Sequence, residues 1–283
     1  MTTSATSANS AIPAITALFG CPAAGQPAQF LFERALATAG LDWRFLTCEV
    51  AEASLEAAVR GGVAMGFRGC LLTGPLRERA ATFVDETSPA ASFTSAVSRI
   101  DFRDGRLIGD MTEGRGAVEA IRWHIEPADQ GVLVLGTGAA ARAVALELAM
   151  GRASLVVMAD RDRDALSHAT EAIAGLQAAP VAACHWQDRL DIPEEVKILV
   201  AASPLDEHRA AAIHGLRADM IVADLQVASE VSPLISVARQ HGCCTVDGLD
   251  ARCEQAAIDF QAWTGMEADT EVLRDALDEF FSA

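Results

Sequence analysis

The chain has 283 residues, of which 51% are hydrophobic and 22% charged, and its 39 acidic against 22 basic side chains give a formal charge of −17. That composition belongs to a soluble globular protein with length for one large or two modest domains. A chain this acidic, with its arginines scattered, repels polyanions and argues against a nucleic-acid partner. Tyrosine is absent, and of the 22 basic residues only Lys197 is a lysine, so phenol chemistry is excluded and lysine chemistry rests on one side chain.

The seven cysteines show no CxxC spacing, and their odd number leaves one unpaired in any disulfide scheme, which favours a reduced, cytoplasmic setting. Residues Met1 to Ser10 are small and polar, read as a disordered tail, and lack the pattern of a signal peptide. No apolar run is long enough to suggest a membrane span.

From Ala14 the chain alternates short apolar runs with alanine-rich amphipathic stretches. A strand is predicted over Ala14 to Phe19, a helix over Ala28 to Ala39, a strand over Trp43 to Val50, a helix over Ser54 to Gly61 and a strand over Gly69 to Leu72. This is the pattern of βαβ units and a parallel sheet. Arg106 to Gly109 follows a turn at Asp104-Gly105, a helix runs from Gly114 to about His124, and Pro127 to Gly131 reads as a linker. Beyond it the alternation is more regular. Strands fall at Val132 to Leu135, Ser154 to Met158, Ile198 to Ala202, Met220 to Asp224 and Cys244 to Asp247. Helices fall at Ala139 to Met150, Ala165 to Ala174 and Val231 to His241, which together describe a doubly wound α/β domain. The last stretch, Ala251 to Ser282, is helical and amphipathic.

The strongest local signal is the apolar strand Val132 to Leu135 running into Gly136-Thr137-Gly138-Ala139-Ala140-Ala141 and then a helix. This is a G-x-G-x-x-A dinucleotide fingerprint. Gly136 permits the tight turn, Gly138 leaves room for a pyrophosphate, Ala141 allows helix to pack on strand, and the helix N-terminus offers free N–H groups to the phosphates. Asp160 ends the next strand 24 positions after Gly136, placed to accept from ribose hydroxyls and to repel a 2′-phosphate. That favours NAD, although Arg161 and Arg163 beside it offer partners for the 2′-phosphate of NADP.

The order of motifs resembles the shikimate dehydrogenase family over nearly the whole length. Gly66 to Arg77 matches that family's NVTxPxK segment, Ser95 to Arg99 its GAVNT, and Leu107 to Gly114 its GxNTDGxG. The Gly136 loop, Ala201-Ala202-Ser203-Pro204, Asp224-Leu225-Gln226-Val227, and Gly248 through Gln255 to Trp263-Thr264-Gly265 follow in family order. The resemblance implies an α/β fold of four parts: a tail over residues 1–10, an α/β substrate domain over 11–127, a Rossmann dinucleotide-binding domain over 128–248, and a helical segment over 249–283 returning to the first domain. It also implies NAD or NADP as cofactor, a small carboxylic acid as substrate, a monomer or homodimer, and a place in aromatic amino-acid biosynthesis.

Site residues carry over one by one. The family's catalytic lysine and aspartate fall on Arg77 and Glu113, and the serine pair that holds the substrate carboxylate falls on Gln26 and Ala28. Asparagines of the NVT and VNT segments fall on Leu71 and Ser98, and a tyrosine near the cofactor falls on Val227; Thr73 and Gln255 are retained. On the cofactor side the positions are Gly136, Thr137, Gly138, Ala139, Ala140, Ala141, Asp160, Arg161, Ser203, Val227 and Gly248. A guanidinium does not titrate usefully, so Arg77 is a poor general base, and the proton falls to Glu113 while Arg77 polarises an oxygen or holds a carboxylate. Three readings stay open: a shikimate or quinate dehydrogenase in which Arg77 is a lysine drifted to arginine, a dehydrogenase whose substrate differs from shikimate, and a non-catalytic NAD(P)-binding protein in which Arg77 and Glu113 form a structural ion pair. Lys197 reads as a solvated residue, and the six histidines show no metal-ligand spacing, so no metal site is expected.

Overall fold

The computed structural model describes residues 12–228 and 230–282, so the tail expected over residues 1–10 lies outside the described residues. The first half builds strands β1 (Ala14–Gly20), β2 (Trp43–Glu49), β3 (Gly69–Leu72), β4 (Glu86–Thr87), β5 (Arg99–Arg103) and β6 (Arg106–Asp110). Between and after them lie helices α1 (Ala28–Thr38), α2 (Leu55–Ala64), α3 (Leu76–Ala81), α4 (Pro89–Thr94) and α5 (Glu113–Arg122). The strands form one sheet in the order β2-β1-β3-β5-β6-β4. Its β1 pairs in parallel with β2 and β3, whereas β5 runs antiparallel to β3 and β6.

The sequence reading missed β5, because its residues alternate charge where apolar side chains are expected. Arg99 and Asp101 are nonetheless buried. The Arg99 guanidinium pairs with Asp101 at 3.0 Å, Asp110 at 3.1 Å and Asp259 at 2.8 Å, so the charges compensate one another inside the fold.

The second half supplies β7 (Gly131–Leu135), β8 (Leu155–Asp160), β9 (Val181–His185), β10 (Leu190–Asp191), β11 (Val196–Ala201), β12 (Ile213–His214), β13 (Ile221–Asp224) and β14 (Cys244–Val246). Its helices are α6 (Ala139–Met150), α7 (Arg163–Gly175), α8 (Glu207–Ala211) and α9 (Pro233–Gln240). Six strands form an all-parallel sheet in the order β14-β13-β11-β7-β8-β9, with β10 and β12 a small separate pair. Every residue of β7 and β13 is buried, as expected of strands covered by helices on both faces. The strand order reverses between β8 and β11 about β7, and the crevice beyond the carboxyl ends of β7 and β11 is where such sheets take ligands.

Helices α10 (Gly248–Thr264) and α11 (Thr270–Ser282) complete the chain. A capping box starts α10, with Asp247 accepting from Leu249 and Asp250 backbone N–H groups, and Gly265 ends it in the left-handed region. The helix packs on α5, and α11 on α1. Phe260, Leu273 and Leu277 thereby join Leu31, Phe32 and Phe45 in one buried cluster. Trp263 seals it, its ring 5.5 Å from that of Phe32 and its Nε1 donating to Asp101 at 2.9 Å. No helix of the described residues is long and apolar enough to cross a membrane.

Candidate active site

Between the two sheets lies a cavity of about 390 Å³. From the first half it takes Gln26, Thr73, Arg77 and Glu113, and from the second Ala140, Ser203, Val227 and Gly248. Arg252 and Gln255 of α10 close it. Residues separated by more than 200 positions therefore meet at the carboxyl end of the parallel sheet, with Ala140, from the first turn of the helix after the Gly136 loop, on one wall.

Arg77 sits in the first turn of α3 and Glu113 begins α5, so two helix starts aim these side chains at each other. Arg77 Nη2 lies 2.6 Å from Glu113 Oε1, the pair being 19% and 13% exposed, and Arg77 Nε donates to the Leu72 carbonyl at 3.1 Å. The guanidinium is thus pinned from two sides. The second carboxylate oxygen, Glu113 Oε2, is buried without a hydrogen-bond partner, and so is the Thr73 hydroxyl. Both residues line the cavity, and each holds one buried oxygen without a partner.

Behind this pair runs a hydroxyl and amide network. Ser98 Oγ lies 3.0 Å from Thr112 Oγ1 and accepts from the Thr112 backbone N–H at 2.8 Å. Gln255 Nε2 donates to Thr112 Oγ1 at 3.1 Å. Ser98 is 2% exposed and lines a small side cavity shared with Gln26, Thr73 and Gln255, while Leu71 contributes an apolar wall there. Thr112, which joins Ser98 to Gln255, escaped the sequence reading.

On the nucleotide side Gly136 has φ +109°, and a Cβ there would meet Ser203 Oγ at 2.6 Å. Ala141 is buried beneath it. Gly138 caps α6 with φ −66° and no side-chain cap bond, and nothing lies within 4 Å of a Cβ built on it. The loop is therefore an open cradle at a bare helix N-terminus, with Ala139 and Ala140 in its first turn. Asp160 ends β8 and accepts from Thr137 Oγ1 at 3.0 Å and from the Asp162 backbone at 3.1 Å. Arg161 is exposed beside it. The guanidinium of Arg209, from α8, stacks on Trp186 at 4.2 Å and feels the charges of both Arg161 and Asp160.

Lys197 pairs with Asp219 in the first half of β11, the end away from the cavity. All seven cysteines are free, and no group of three metal-ligating side chains is found among the described residues. Arg252, which lines the cavity, escaped the sequence reading as Thr112 did. One signal was available: Arg252, Gln255 and Asp259 recur at helical spacing, a polar stripe on the face of α10 that turns inward.

The model of the shikimate dehydrogenase substrate binding domain matches residues 18–100. A shikimate dehydrogenase (NADP(+)) of Streptococcus equi subsp. zooepidemicus is 30% identical over 279 residues, covering 93% of this chain and 95% of its own. Among solved structures, ligand-free 5-ketofructose reductase of Gluconobacter sp. strain CHM43 superimposes with a TM-score of 0.90 at 28% identity, covering 95% of this chain and 99% of that one. Shikimate 5-dehydrogenase of Thermus thermophilus, solved with NADP(H) and shikimate, gives 0.81 at 26% identity, covering 94% and 99%. Likeness that runs the length of both chains, over the same pair of sheets, makes this chain a member of the shikimate dehydrogenase family.

Proposed function

We propose that the chain is a nicotinamide-dependent oxidoreductase exchanging hydride with a small cyclic hydroxy or keto acid that need not be shikimate. The observation that carries this reading is the cavity itself, which the Glu113 carboxylate and the Arg77 guanidinium line together with Ala140, in the first helical turn after the Gly136 loop, and Ser203. The bound dinucleotide supplies the hydride acceptor or donor. Gly136 and Gly138 leave room for its pyrophosphate, Thr137, Ala139, Ala140 and Ala141 form the loop and first helical turn around it, and Asp160 meets its ribose. Ser203, Val227 and Gly248 border the nicotinamide end.

Glu113 Oε2, free of other partners, takes the hydroxyl proton in oxidation and returns it in reduction. Arg77 cannot share that task, and holds the reacting oxygen by charge. Thr73, Ser98, Gln26 and Gln255 line the substrate end. Asp160 supports a preference for NAD, whereas the NADP-dependent relatives, together with Arg161 and Arg209, support NADP. Titrating the purified protein with each oxidised cofactor decides between them.

A second reading, reduction of a neutral ketose, is favoured by the likeness to 5-ketofructose reductase and by Gln26 and Ala28 standing where the family holds a carboxylate. The relatives carry enzyme names, which lends nothing to the non-catalytic alternative. The test is consumption of NADH and NADPH with 3-dehydroshikimate and 5-ketofructose. No turnover of either, nor of a wider set of keto acids, at high enzyme concentration sinks the proposal.

A further inference from the structure

We infer that Arg252 is a specificity-determining residue that binds a carboxylate of the substrate, replacing a pair of hydroxyls with a guanidinium on the opposite wall. The inference rests on the oxidoreductase reading above and narrows its substrate to an anion.

The argument begins with charge. The cavity holds three ionised side chains, and two of them, Arg77 and Glu113, neutralise each other at 2.6 Å. Arg252 is the surplus cation. It lies partly buried on α10, and no carboxylate stands within ion-pair distance of it among the described residues. Its guanidinium donates from Nη1 to Gln255 Oε1 at 3.0 Å, a neutral amide whose own Nε2 is committed to Thr112. Burial pushes the Arg252 guanidinium down from its ordinary value, with Glu113 opposing that shift and Arg77 adding to it. A partly buried guanidinium with only a neutral amide as side-chain partner is better compensated when an anion binds beside it.

Position supplies the second line. Arg252 borders both the main cavity and the side cavity walled by Gln26, Pro27 and Ala28. Those residues lead into α1, an 11-residue helix whose first turn has no side-chain cap. The start of that helix, with its positive dipole end, therefore forms part of the cavity wall. An uncapped helix start and an unpaired guanidinium, from elements more than 200 residues apart, converge on one small volume. A carboxylate there satisfies both, accepting two parallel bonds from the guanidinium. A neutral polyol supplies no charge and leaves Arg252 uncompensated.

The test compares shikimate, 3-dehydroshikimate and quinate with methyl shikimate, in which a methyl ester replaces the carboxylate and removes its charge, and with 5-ketofructose. Binding is measured calorimetrically on the full chain saturated with NAD or NADP, independently of turnover. At least one acid is expected to bind the unaltered protein ~10- to 100-fold more tightly than the uncharged ligands, the loss typical of a charge-assisted hydrogen bond. Arg252→Gln is expected to abolish that advantage while leaving methyl shikimate binding within about threefold. The ester comparison needs no variant, so misfolding of Arg252→Gln leaves the question decidable. Equal binding of acid and ester, failure of all three acids to bind, or equal weakening of acid and ester by the substitution overturns the inference. Reduction of 5-ketofructose without acid binding defeats the Arg252 assignment and spares the oxidoreductase reading. Arg252-dependent acid binding without any turnover does the reverse.

Discussion

Replacing Glu113 by glutamine separates a proton carrier from a structural ion pair. The side chain keeps its length and an acceptor oxygen for Arg77, but loses its charge and its capacity to exchange a proton. Two unit charges 4 Å apart attract by roughly 4 kcal/mol at an effective dielectric of about 20. Most of that is offset by desolvation, since the partners are 13% and 19% exposed in an open cleft. The net loss of stability therefore falls between the ~0–1 kcal/mol of an exposed pair and the ~3–5 kcal/mol of a buried one, or about 1–3 kcal/mol. A chain of this size then melts a few degrees lower, at ~2–4 °C per kcal/mol. Catalysis is expected to suffer far more. Removing a positioned acid-base group costs ~10²–10⁴ in rate, about 3–5 kcal/mol of barrier. The assay is initial-rate consumption of the reduced cofactor with the best substrate of the panel, beside a circular-dichroism melt. We expect kcat to fall at least 100-fold, on the scale of a lost acid-base group, with KM little changed. A kcat within about threefold of the parent, accompanied by the same small drop in melting temperature, refutes Glu113 as proton carrier.

Arg77→Lys tests whether the arginine merely stands in for the family lysine. A lysine has one nitrogen in place of the separate Nε and Nη2 with which Arg77 holds the Leu72 carbonyl and Glu113, so the fork is lost and no gain in shikimate oxidation is expected; a rise of ~10² or more overturns the redesigned cleft. Gly138→Val puts a side chain into open space at φ −66°, so the melting temperature without cofactor should hold within about 2 °C while dinucleotide affinity falls more than ~10-fold. Unchanged affinity in that variant removes the pyrophosphate from the cradle. Burial pushes the Asp259 carboxyl up to about 6 despite the opposing Arg99 guanidinium, so the folded chain holds a proton there that the unfolded chain releases. Stability from this group is full below about pH 4 and is lost as pH rises to about 6. The melting temperature should therefore drop between pH 4.5 and 7, and Asp259→Asn should flatten that slope; an unchanged slope in the variant refutes the assignment.

How much of this was legible in the sequence depends on what each residue faces. The parallel sheet and its glycine loop could be read because apolar runs such as Val132 to Leu135 are buried on both faces, so local composition and tertiary environment agree. Strand β5 could not, because Arg99 and Asp101 look like surface residues until Asp259, 158 positions beyond Asp101, supplies the charge that lets them be buried. The same long-range dependence hid Arg252. Flanked by Ala251 and Cys253 and close to Asp250 and Glu254, it reads as one more charge on an amphipathic helix. Only the packing of α10 on α5 turns its face toward Glu113. The motif order located Arg77 and Glu113 correctly as neighbours, yet their distance and the empty valence of Glu113 Oε2 are properties of two helix starts that sequence spacing does not set.

A chain with one lysine has to divide what a lysine does. An ε-ammonium can stabilise a developing negative oxygen and, when partly desolvated, also give up its proton. A guanidinium performs the first task and is excluded from the second by its pKa. The second task then needs a separate group close enough to act on the same oxygen, and Glu113, at 2.6 Å from Arg77 and at the start of α5, stands at that distance. Pairing the two cancels their charges, however, and so removes the net positive field that would draw an acid into the cleft. That field must come from elsewhere in a chain of charge −17. On the proposed reading, Arg252, on a different helix, restores it without disturbing the proton path, so that the arginine in place of the lysine and the arginine proposed to hold the carboxylate are two parts of one change.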